Sequence, residues 1–174
     1  MAITARSLTL PCSLNAAAHA RQQVAGALTE LLTSPTGPST GPPSRHTPYA
    51  EPPDRLSELI GDAQLIATEL IANAVHAGCQ RLRLSLSYHS NADPGTGPRT
   101  GHGQVPGLGE LVIDVYDDAP GHPTQRQVGP QDTHGRGLSL IAALTRDWGV
   151  EHPSPEPGKH VWAALPIPPP GAGA

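Results

Sequence analysis

The stretch TELIANAVHAG, residues 68–78, closes the clearest helical pattern in the chain. Reading back from it, Leu56, Leu59, Ile60, Ala63, Ile66 or Ala67, Leu70 and Ala74 recur at helical spacing, so residues 54–76 form an amphipathic helix with Asp54 as candidate cap. Gly78 supplies the stop, because glycine adopts the left-handed conformation in which helices commonly end. Such an apolar stripe needs a partner surface, and the segments on either side provide it.

Downstream, residues 81–88 alternate Leu82, Leu84, Leu86 and Tyr88 with polar neighbours, which predicts a half-buried strand. LVIDVY at residues 111–116 is more continuously apolar and predicts a more central strand. Residues 138–147 have helical spacing, and residues 159–167 place Val161, Ala163 and Leu165 on one face of a last strand. Upstream, residues 7–10 read as a short strand. Residues 15–32 read as an Ala-rich helix bearing Val24, Leu28, Leu31 and Leu32, with Ser13 or Asn15 as cap. The order strand, helix, helix, strand, strand, helix, strand predicts an α+β fold: a two-layer α/β sandwich with a mixed, mostly antiparallel sheet covered on one face by helices.

The chain has 174 residues, enough for one domain with a single core. Its 21 prolines and 19 glycines are clustered, which divides it into a domain over residues 1–167, Pro/Gly-rich insertions at 34–53 and 90–109, and a disordered tail at 168–174. There is no Phe, so the core is built from Leu, Ile, Val and Ala. A net charge of -4 without a basic stripe argues against direct nucleic-acid binding. Two cysteines, Cys12 and Cys79, lack CxxC spacing and suggest neither a disulfide framework nor a zinc site; Cys79, following Gly78 at a helix end, reads as structural. No run approaches the ~20 apolar residues of a membrane span, and MAITARSLTLPCSL at the start is too broken by polar residues for an export signal. A cytoplasmic protein without a membrane partner is expected.

Three short segments carry the chemistry. In TELIANAVHAG, Glu69 and Asn73 stand one turn apart at the edge of the apolar stripe, where a carboxylate and an amide suit a Mg²⁺ ion and a positioned base. DDAPG, residues 117–121, sets Asp117 at a strand end, where rigid scaffolds hold ligand-binding groups. HGRGL, residues 134–138, flanks Arg136 with Gly135 and Gly137 just before a helix, so backbone amides can approach an anion. Each has an ordinary explanation alone: a solvated helix pair, a turn, a helix start. The glycines fit neither a Walker A loop nor the dinucleotide fingerprint. The nine histidines lack metal-ligand spacing and read as surface residues.

In this order, with strands between them, the segments resemble the N box and two glycine boxes of the ATP-binding fold shared by gyrase, the heat-shock chaperone, sensor histidine kinases and MutL. The wording of TELIANAVHAG, HGRGLSLIAALTRDWGV and GKHVWAALP resembles the branch of small bacterial regulators related to the anti-sigma factor serine kinases. The resemblance covers most of the chain outside the insertions and implies a Bergerat-type sandwich binding ATP and Mg²⁺. It implies Glu69 as general base, Asn73 as Mg²⁺ ligand, and Asp117 as acceptor for the adenine amino group. Gly121 is then a hinge, residues 121–134 a lid, and Gly135, Arg136, Gly137 and Leu138 the phosphate-contacting box. One position departs: where the family pattern is acid-x-Gly, this chain reads Asp117-Asp118-Ala119, and a positive φ at Ala119 would cost about 1 kcal/mol or more.

The function implied is a serine/threonine-protein kinase, a transferase that passes the ATP γ-phosphate to a serine of a partner in transcription regulation. The partner would be an anti-sigma antagonist and/or a sigma factor, and homodimerisation is implied by the resemblance alone. Two alternatives stay open: a non-catalytic ATP-dependent sequestering module, and a detached histidine-kinase catalytic domain. The wording around Trp148 and Trp162 fits the last less well.

Overall fold

Leu82, Leu84 and Leu86 are all buried while Arg83 between them is exposed, as the alternation requires. A computed structural model of the chain describes residues 4–33, 53–90, 109–121, 137–155 and 157–167. Along it run β1 (Thr4–Leu10), α1 (Ala16–Thr33), α2 (Pro53–His76), β2 (Leu82–Ser90), β3 (Gly109–Asp117), α3 (Gly137–Leu144), β4 (Asp147–Glu151) and β5 (Lys159–Ile167). The fold is α+β, with one five-stranded sheet in the order β1-β2-β3-β5-β4.

Every strand pair described is antiparallel, so the sheet is not mixed as expected. The reason lies in the connections. A parallel neighbour needs one crossover, whereas between β1 and β2 the chain makes two helical passes and returns alongside its starting strand in the opposite sense.

The register aligns the apolar positions across the sheet. Leu84 lies opposite Leu8 and Val115, and Val115 opposite Val161, with Leu84, Val115 and Val161 buried. Against this face α2 sets Leu59, Ala63, Ile66, Ala67, Leu70, Ile71 and Ala74, and α1 adds Val24 and Leu28. Burying each large aliphatic side chain stabilises by about 1.5–3 kcal/mol. The buried alanines, Ala16, Ala20 and Ala27 in α1 and Ala63, Ala67 and Ala74 in α2, leave room for close helix packing in a core without Phe.

Helix ends follow their local chemistry. The Asn15 carbonyl accepts from the amides of Ala18 and His19, which puts Asn15 in the N-cap position expected of it or of Ser13. Asp54 differs from expectation: α2 starts at Pro53, so Asp54 lies inside the first turn. At the far end Gly78 has φ +81, its amide bonds Val75 O, and the Cys79 amide bonds Ala74 O at 3.3 Å. That pair of bonds is a Schellman motif.

The helix expected over residues 138–147 stops at Leu144, and an unanticipated strand, β4, follows. Thr145 donates both its amide and its Oγ1 to the Ile141 carbonyl, and the next amide, of Arg146, already bonds Ala164 O across to β5. Gly149 sits in the middle of β4, where a Cβ would stand 2.9 Å from the Trp162 indole. A five-residue strand with a central glycine has no periodic signature to read.

Pro53, Ser90 and Gly109, assigned to the insertions, belong to α2, β2 and β3. The rest of those insertions and the 168–174 tail lie outside the described residues. Among the described residues no helix is long and apolar enough to cross a membrane.

Candidate functional site

Glu69 and Asn73 are half-buried on α2, flanked by the buried Ile66, Leu70 and Ala74. The fold brings Glu69 to the start of α3. A Cβ on Gly137 would lie 2.5 Å from Glu69 Oε2 and 3.4 Å from its Cβ and Cδ, so the carboxylate occupies the space that any side chain at 137 would claim. Glycine there has a specific reason. Leu138 and Ile141 bury their side chains behind it, anchoring α3 to the core. The Glu69 carboxylate lies against the N-terminal end of α3, whose amides favour negative charge, and Asn73, a second hard oxygen donor, stands one turn further along α2. That donor chemistry fits Mg²⁺ held jointly with phosphate oxygens and water, which needs no closed protein cage. Among the described residues no group of three or more His, Cys, Asp or Glu forms such a cage.

Asp117 ends β3 on the helix-covered face of the sheet, with its side chain 1% exposed. Its Oδ1 accepts from Lys159 Nζ at 2.8 Å and from the Ala119 amide at 3.0 Å. Lys159, 4% exposed, also donates to Ala119 O at 3.0 Å. The register explains the meeting, since Asp117 and Lys159 are directly opposed on β3 and β5 and therefore share a face. Lys159 is the candidate-site residue that sequence reasoning missed. The signal available was its place in GKHVW, opening the last strand, but the register was needed to set it beside Asp117.

The backbone before Lys159 is equally constrained. Gly158 has φ +111, and a Cβ there would stand 2.4 Å from Asp117 O. Close approach of two backbones at that point requires glycine.

Asp118 points the other way and clamps the entry to β2. Its Oδ1 accepts from the amides of Arg81 at 2.8 Å and Gln80 at 2.7 Å, and its Oδ2 from Arg81 Nε at 3.1 Å. Those backbone donors, Arg81 first, hold its carboxyl well below the ordinary 3.8, down to about 2. A carboxyl depressed on folding contributes stability that is present above the unfolded value and lost as pH falls through the folded one. Asp118→Asn should therefore flatten the acid unfolding curve between about pH 4 and pH 2. Circular dichroism against pH for wild type and variant checks this; equal slopes in that window would contradict it.

Ala119 is buried at 2% exposure, and no described non-glycine residue has a positive φ, so the feared backbone strain is absent. Gly121 has φ +90 with open space around it, as a turn after the strand end demands. Gly135, Arg136 and residues 122–134 of the expected lid lie outside the described residues. Of the histidines, His160 pairs its Nδ1 with Asp114 at 2.9 Å on the sheet face away from the helices.

The structure thus joins the first and third segments through Glu69 and Gly137, and fixes Asp117 at a strand end on the same side of the sheet. No protein-family model matches the chain, and no curated protein matches it.

Proposed function

We propose that this chain binds ATP with Mg²⁺ and acts as a serine/threonine-protein kinase of the anti-sigma type, in the cytoplasm, on a partner regulator of transcription. The observation that carries the reading is the contact of the Glu69 carboxylate with Gly137, which sets a candidate base against a candidate phosphate-binding helix start. Glu69 would accept the proton of the attacking serine hydroxyl. Asn73, one turn on, would hold Mg²⁺, which when bound neutralises charge on the phosphates. Asp117, its Oδ1 tied to Lys159 and Ala119, would present Oδ2 to the adenine amino group. Catalysis of this kind is mostly positioning and charge neutralisation.

Ala119 favours a second reading, an ATP-dependent binding module that sequesters its partner without turnover. Its buried methyl removes the freedom of a glycine at the strand end, which suits a rigid site. Incubation with γ-labelled ATP and a purified anti-sigma antagonist decides between them: label on serine supports the kinase, saturable ATP binding without transfer supports the module, and no binding refutes both.

The contact itself is tested by Gly137→Ala. The atom met first is the mobile end of Glu69, so the variant should fold with a melting temperature close to wild type. The displaced carboxylate should lower γ-phosphate transfer at least tenfold, because general-base efficiency depends on position. Undiminished transfer would contradict a role for the contact.

A further inference from the structure

The two cysteines, unrelated by spacing in the sequence, meet in the fold. Leu10 and Leu82 are the last register pair of β1 and β2, and the chain reaches Cys12 two residues beyond one and Cys79 three residues before the other. The Schellman cap on α2 ties the Cys79 amide to Ala74 O and seats its side chain in the core at 8% exposure. Cys12 is half-buried and packs on that same core, near enough to Cys79 to be one of the groups that raise its thiol pKa. Both cysteines therefore stand at one end of the β1–β2 pair, just outside its last register pair.

We propose that Cys12 and Cys79 form a reversible modification site, which a peroxide closes to an intramolecular disulfide. The two thiols have different parts. Burial above all, and then the neighbouring Cys12, pushes the Cys79 thiol up to about 12, so it is a poor first nucleophile. Cys12 is the more exposed. Its sulfur attacks the O–O bond of hydrogen peroxide, forming an S–O bond and releasing one water as the sulfenic acid appears. The Cys79 sulfur then displaces the hydroxyl from Cys12, the S–S bond forms, and the thiol proton leaves with that hydroxyl as a second water. Two thiols are oxidised and one peroxide is reduced.

The bond would join the end of β1 to the start of β2, across a loop containing both long helices. It would also adjoin Gln80 and Arg81, whose amides clamp Asp118 beside Asp117. Closing a loop of that length restricts the unfolded chain strongly. In a reducing compartment such a disulfide is transient, which suits sensing more than permanent bracing. The site does not depend on the nucleotide reading.

The test uses the full chain treated with hydrogen peroxide, followed by thiol alkylation, intact mass and thermal unfolding. The expected product is a monomer two hydrogens lighter, with no alkylatable thiol. Its melting temperature should be raised by roughly 10 °C and should return to the starting value on addition of a dithiol reductant. Cys12→Ser and Cys79→Ser should each show neither the mass loss nor the thermal shift. Two free thiols after treatment, a sulfinic acid on Cys12, or only disulfide-linked dimers would overturn the proposal.

Discussion

Replacing Lys159 by Met lowers the unfolding free energy by about 3–5 kcal/mol. The side chains of Lys159 and Asp117 are 4% and 1% exposed and meet at 2.8 Å, so removing the ammonium leaves a buried carboxylate whose remaining hydrogen-bond partner among the described residues is the Ala119 amide. The loss reflects the stranded charge more than the net worth of the pair. Asp117→Leu combined with Lys159→Met should accordingly recover much of it, since buried ion pairs exchange for apolar groups at little cost. Urea unfolding of wild type, single and double variants measures both effects. A single-variant loss below about 1 kcal/mol, the level of an exposed ion pair, would show that the pair is solvated in practice.

Glu69→Gln should reduce γ-phosphate transfer by a factor of about 10² to 10⁴, the range removed with a general base, which is roughly 3–5 kcal/mol of barrier. Glutamine keeps the length of the side chain and its packing against Gly137, so the fold and the N-terminal end of α3 should be undisturbed. ATP affinity should stay within a few-fold of wild type, which separates loss of chemistry from loss of binding. Transfer at the wild-type rate would remove Glu69 from the mechanism, and parallel loss of binding and transfer would give it a ligand-holding role instead.

Much of the architecture was legible because the long elements carry strong periodicity. The leucines of β2 and the stripe of α2 each point one way, and a one-residue error would have turned either toward solvent. What escaped was short or non-local. β4 has five residues and a glycine that only the Trp162 indole explains. The ion pair of Asp117 with Lys159 and the thiol pair of Cys12 with Cys79 depend on strand register, which joins residues far apart in the chain. The reason for Gly137 became visible only when α2 and α3 were packed together.

We propose that the end of β3 and the facing parts of α2 and α3 form a site for ATP with Mg²⁺. Calorimetric titration of the wild-type chain with ATP in the presence of Mg²⁺ tests it most directly. Saturable one-to-one binding is expected with a dissociation constant below about 1 mM, within the ordinary range for enzyme substrates, and with marked weakening when Mg²⁺ is chelated. A folded protein that shows no saturable heat with ATP, or binds it equally well without Mg²⁺, would contradict the account.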